Sequence, residues 1–179
     1  KARACPAQWH PFTHNLTLKD LPMKAAWYTH NGDAKDVLVV GDMPTPQAGP
    51  GEVRVQLKTS GVNPSDVKNR KGRPLVGERY IPHSDGAGVI DQVGAGVDAS
   101  RMGQRVWTWN AQYKRPFGTA AQYIVLPQAQ AHPLPDGTDF AAGACMGIPG
   151  LTAIQAVHLA GDLKGKTVLV TGAPSAVGH

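Results

Sequence analysis

Cysteine is almost missing from this chain: Cys5 and Cys145 are the only two in 179 residues. They lie far apart and form no Cys-x-x-Cys pair. Neither a disulfide framework nor a cysteine-rich zinc site is expected, and a reducing, cytoplasmic setting fits. Long apolar runs are missing too. No stretch approaches the roughly 18 residues that span a bilayer, and no apolar core precedes a small-residue cleavage site as in a secretory leader. No membrane partner is therefore expected. Charged residues make up only 17% of the chain, with a formal net charge of +5. No basic helix carries interleaved aromatics, so nucleic acid is not an expected partner either. What the chain has in quantity is turn chemistry. Gly 21 and Pro 15 amount to roughly a fifth of the residues, well above average usage. That favours a turn-rich β architecture over a helical bundle.

Along the chain, residues 1–22 show no sustained periodicity and are expected to be a loosely packed or disordered extension outside the fold. From Met23 onward short strands alternate with turn signals. Lys24–Tyr28 and Val37–Val40 read as strands, and Pro44–Gly51 as a linker-like turn. Glu52–Lys58 alternates apolar and polar residues, as a half-buried strand does. Gly86–Val93, Arg105–Trp109 and Ala121–Leu126 continue the series. Trp107 and Trp109 stand two apart and are expected to share one face, packed in the barrel. Phe140–Cys145 and Leu151–Ala160 read as helical, and Thr167–Thr171 as a buried strand. Strands first, then helix alternating with strand, predict a β-barrel domain feeding an α/β domain.

Four segments carry chemistry. They are Ser60-Gly-Val-Asn-Pro-Ser-Asp66, Ile81-Pro-His-Ser-Asp-Gly-Ala-Gly-Val-Ile90, Gly147-Ile-Pro-Gly-Leu-Thr-Ala153 and Val168-Leu-Val-Thr-Gly-Ala-Pro-Ser-Ala-Val-Gly178. In this order and spacing they resemble the medium-chain dehydrogenase/reductase superfamily, and within it the zinc-independent, zeta-crystallin-like quinone oxidoreductases. The resemblance covers residues 23–179. It implies a mainly β GroES-like barrel with short helices over 23–148, and the first helix and strand of a truncated α/β Rossmann domain over 149–179. It also implies a parent that reduces a small-molecule quinone or activated enone with NADP (NAD being the alternative) and that forms a homo-oligomer. This chain by itself is expected to be inactive.

The same resemblance implies the site. The catalytic zinc ligands of related alcohol dehydrogenases fall on Asn63, Ser84 and Ile148. None of these residue types suits zinc, which takes thiolate, imidazole or carboxylate, so no metal is expected. His83 and Cys145 lie nearby but are displaced from the ligand positions. Asn63 and Asp66 would sit beneath the nicotinamide ribose as catalytic residues, with Asn63 also touching the cofactor. Local readings compete: turn formation ahead of Pro64 for Asn63, and a helix cap for Asp66. Thr152, at the start of a helix, would approach the nicotinamide or serve as a cap. Ala173, Pro174, Ser175, Ala176, Val177 and Gly178 occupy the phosphate-binding turn. There Pro174 removes one backbone donor and fixes φ where the family uses small residues and glycine. Tyr80 is a candidate wall of the substrate pocket. The basic run Lys68–Arg73 reads as a solvated loop or helix face. Two other readings are a non-catalytic, stand-alone GroES-like binding or structural domain, and a zinc alcohol dehydrogenase using shifted ligands.

Overall fold

Alternation of apolar residues sets the sheet. In β3 (Glu52–Gly61), Val53 and Val55 point one way and are fully buried, while Glu52, Arg54 and Gln56 point the other way. The structure, a computed structural model, describes residues 21–178. A two-stranded antiparallel sheet pairs β1 (Pro22–Trp27) with β2 (Val39–Pro44). A five-stranded antiparallel sheet has the order β6-β3-β4-β5-β7, built from β4 (Asp85–Val93), β5 (Arg105–Thr108), β6 (Tyr123–Pro127) and β7 (Ala131–Pro133). The two sheets meet where the main chains of Lys24 and Ala26 bond those of Gln122 and Ala120. The described chain also has four short α-helices, α1 (Ala34–Val37), α2 (Pro64–Gly72), α3 (Phe140–Gly143) and α4 (Leu151–Leu159), and two single 3-10 turns at Ala99–Arg101 and Gln128–Gln130. One wide helical turn, Met146–Gly150, leads into α4.

The main core lies on the inner face of the five-stranded sheet, where Val53, Val55, Ile90, Val106, Ile124 and Leu126 pack together. Ile124→Ala should cost about 2–4 kcal/mol, because the side chain is fully buried among β-branched neighbours that cannot collapse into the gap. Chemical denaturation measures this; a loss below 1 kcal/mol would mean that the site relaxes freely. The β3–β4 ladder carries two register shifts. At one of them Gly88 lies so close to β3 that a Cβ would stand 2.1 Å from the Gln56 carbonyl oxygen, which is why glycine occupies the middle of a central strand.

Several sequence expectations need correction. Val37 closes α1 rather than opening a strand, and β2 starts at Val39. The tryptophans divide: Trp107 lies on the face of β5 opposite Val106 and Thr108, where it packs against Ala87, Leu134 and Ala144 and stacks on the His132 ring at 4.9 Å, whereas Trp109 is exposed. The basic run is not wholly solvated, because Arg70 is buried and donates to the Gly32 carbonyl. Thr167–Thr171 forms no strand. A strand needs a neighbour to take up its backbone hydrogen bonds. Among the described residues none does so here, leaving Leu169 87% exposed. On α4 the apolar Ile154, Val157 and Leu159 are likewise exposed. The expectation for residues 1–20 lies outside the described residues, while Pro22 already belongs to β1. Among the described residues, no helix is long and apolar enough to cross a membrane.

Candidate functional site

The site is assembled where β3 ends, β4 begins and the chain turns into α4. Asn63 is extended (φ −118°, ψ 156°) because Pro64 follows it. Pro64 then opens α2, where its missing N–H costs nothing. The Asp66 carboxylate reaches back to accept the Asn63 backbone N–H at 2.7 Å, the arrangement of a capping box. The Asn63 side-chain amide donates instead across the barrel to Asp85 Oδ2, at 2.7 Å.

Asp85 ties the elements together. It is completely buried at the head of β4. Its two oxygens accept the Ile148 N–H at 3.0 and 3.1 Å, and its carbonyl accepts the Thr119 hydroxyl at 2.6 Å. Gly147 fits against it with no room for a side chain: a Cβ would lie 2.2 Å from Oδ1. One carboxylate therefore joins the start of α2, the sheet and the turn before α4. Burial pushes Asp85 above the usual carboxylate range, opposed by its bonds from Asn63 and Ile148 and assisted by the charge of Asp66. Burial also raises Asp66, opposed by the Asn63 N–H.

Beside this knot, a small pocket of about 190 Å³ is lined by Trp109, Asn110, Ile148, Leu151, Thr152 and Gln155, with Gly147 at its floor. That is below the range for a whole ligand and suits a single ring. The Thr152 hydroxyl donates to the Ile148 carbonyl at 2.5 Å, so it binds one turn back rather than capping α4. His83 lies on the other side of Asp85 with φ at +78°, a value unusual for a residue with a Cβ. Its Nδ1 pairs with the Ser60 hydroxyl at 2.9 Å, which in turn pairs with the Thr119 hydroxyl at 2.9 Å. Burial holds the His83 imidazole below its ordinary value.

The structure brings Asn63, Asp66 and Ile148 together and sets Thr152 on the adjoining pocket. Other expected residues lie elsewhere. Tyr80, expected at a substrate wall, is buried against Tyr28 with ring centres 5.2 Å apart, in a separate cluster with Val37. Residues 173–178 form an exposed series of turns whose described hydrogen bonds are local: Ser175 N–H to the Gly172 carbonyl and Gly178 N–H to Ser175 Oγ. Asp85, Trp109 and Gln155 are site members that sequence reasoning missed. An acid among small residues at the head of a strand was the available signal for Asp85. Trp109 gave none beyond its type, because its exposure depends on β5 ending at Thr108.

For zinc, Asn63 is committed to Asp85, and Ser84 and Ile148 supply no ligand that zinc favours. Among the described residues, no three His, Cys, Asp or Glu side chains gather closely enough to hold a metal. The donor set does not fit zinc. The small pocket has the volume of a single ring, with Thr152 and Gln155 offering polar atoms at its wall.

A barrel of this topology joined to a glycine-bearing turn and helix defines a class. Residues 49–136 match the alcohol dehydrogenase GroES-like domain family. The chain belongs to the medium-chain dehydrogenase/reductase superfamily, and within it to the quinone oxidoreductase type. It is 36% identical to the quinone oxidoreductase of Rattus norvegicus over 141 residues, covering 76% of this chain and 40% of that protein. The structure of the quinone oxidoreductase from Coxiella burnetii is similar at a TM-score of 0.71 and 25% identity, over 78% of this chain and 45% of that one. A cobalt- and zinc-bound thermostable alcohol dehydrogenase from Pyrobaculum aerophilum is similar at a TM-score of 0.78 and 27% identity, over 88% of this chain and 54% of that one. The chain thus spans less than half the length of the rat protein it matches.

Proposed function

We propose that the whole protein is an NAD(P)H-dependent oxidoreductase that passes hydride to a quinone or activated enone without zinc. The observation that carries this reading is the Asn63–Asp85–Ile148 knot. Where a zinc member of the superfamily would need ligands, this chain has an amide, a hydroxyl and an isoleucine, with the amide already engaged. An acceptor that takes hydride without a strong electrophile suits such a site, and the named relatives support the same substrate class.

The nicotinamide, when bound, supplies the hydride. This chain's residues orient it and exclude water. Thr152 and Gln155 would meet its carboxamide, and Trp109 and Ile148 would close the pocket. Asn63 and Asp66 are buried and bonded inward, so they act as positioning residues: Asn63 holds Asp85, Asp85 holds Ile148, and Ile148 forms the pocket wall. Ala173, Pro174, Ser175, Ala176, Val177 and Gly178 would take the pyrophosphate. Pro174 has no N–H and that of Gly178 is already used, which leaves the amides of Ala173, Ala176 and Val177 as the main donors. NADP rather than NAD, a homo-oligomeric parent and a cytoplasmic setting are parts of the same proposal.

The test is NADPH oxidation by the full-length protein with 1,4-benzoquinone, with and without a metal chelator. We expect quinone-dependent turnover that the chelator leaves unchanged. Failure to bind either nicotinamide cofactor, or loss of turnover with the chelator, would overturn the reading.

A further inference from the structure

A second pocket, larger than the one beside Asp85, lies in the described chain. It lies on the opposite flank of the barrel, between the β1–β2 sheet, β6 and the loops at 77–79 and 116–117, and it shares no residue with the small pocket. Its volume is about 550 Å³, within the range of small-molecule sites. Met23, Met43, Ile81, Phe117, Tyr123 and Ile124 supply its apolar surface. Two methionines facing two aromatic rings make a deformable lining that favours flat aromatic ligands.

Charge at the rim narrows the ligand further. Arg79 lines the mouth, exposed, with its guanidinium 5.6 Å from the centre of the Trp27 ring. Among the described residues no carboxylate pairs with it. A guanidinium beside an aromatic ring, with no carboxylate paired to it among the described residues, has donors free for a carboxylate. Glu78 stands beside it on the same rim and disfavours a second negative charge.

We propose that this pocket is a second small-molecule site, separate from the nicotinamide pocket, which binds an apolar aromatic ligand carrying a single carboxylate. The ring system would lie among Met23, Met43 and Phe117, and its carboxylate would accept from Arg79. The site is independent of the proposed hydride transfer, since it touches none of the residues assigned to that chemistry.

The test is calorimetric titration of the full-length protein with 2-naphthoate and with its neutral analogue 2-naphthalenemethanol. We expect saturable one-to-one binding, with naphthoate about tenfold tighter than the alcohol, as one charge-assisted contact provides. Arg79→Gln should erase that preference, and Glu78→Gln should tighten naphthoate. Met43→Trp, which fills the pocket, should abolish binding of both. Arg79 and Glu78 are exposed, so their variants decide the matter even if Met43→Trp fails to fold. Three results would each overturn the proposal. One is no saturable binding, including the case in which another part of the chain fills the pocket. The second is a preference for the anion that survives Arg79→Gln. The third is displacement of naphthoate by NADPH, which would put the ligand in the other pocket.

Discussion

Asp85→Ala should lower stability by about 2–4 kcal/mol, the scale for leaving two donors, one of them part-buried, without their acceptor. Two donors lose their acceptor at once: the Asn63 amide and the Ile148 N–H. Each unsatisfied buried donor costs about 1–3 kcal/mol. The melting temperature should fall by roughly 10 °C on the usual scaling for a chain of this size. Asp85→Asn keeps the shape and isolates the charge. The folded-state pKa of Asp85 is raised by burial, so the folded chain holds this proton more tightly than the unfolded chain does. The group's contribution is therefore greatest below its unfolded pKa, declines as pH rises through its folded value, and is constant above. The stability difference between wild type and Asp85→Asn should shift toward the variant across that window. Urea unfolding at a series of pH values measures it, and a difference that does not vary with pH would refute the argument.

Gly118→Ala should be more damaging still, on the order of 4 kcal/mol or more, among the exceptional losses for a single substitution. An added Cβ would lie 2.1 Å from the His83 carbonyl oxygen, 2.4 Å from that of Pro82 and 2.8 Å from that of Ile81. These are backbone atoms, so no rotamer change relieves the clash. The segment also cannot simply move away, because Gly118 N–H donates to the Ile81 carbonyl and Thr119 N–H to that of His83. We expect loss of soluble protein or a cooperative unfolding transition shifted far down. A melting curve matching wild type would mean that residues 81–83 are looser than they stand here.

The difference between what was and was not legible beforehand follows from range. Val53 and Val55 were readable because alternation is local. α2 was read only in part, as a cap at Asp66 and a loop or helix face over Lys68–Arg73, although its Asn63-Pro64 start and the acid at Asp66 are signals within four residues. The Thr167–Thr171 strand was misread because its apolar run states a preference that only a neighbouring strand can fulfil. The placement of Trp109 was misread for a related reason: period two gives it the face of Trp107 only while the strand continues, and β5 ends at Thr108. Asp85 was hidden because its meaning depends on partners 22 and 63 positions away, and no spacing rule links them. Tyr80 looked like a pocket residue from its place in a motif, yet its backbone pairs with Tyr28 and carries the ring into a core.

The Asp85 knot also sets where this protein can be recombined with its relatives. A chimera joined at Gly143, just after the last helix packed on the barrel, would take Ile148 from one parent and Asp85 from the other, and would inherit their contact only if both parents had evolved the same turn. A crossover placed after Gly150 moves Asn63, Asp85, Gly147 and Ile148 as one inheritance, and leaves α4 and everything after it free to be exchanged.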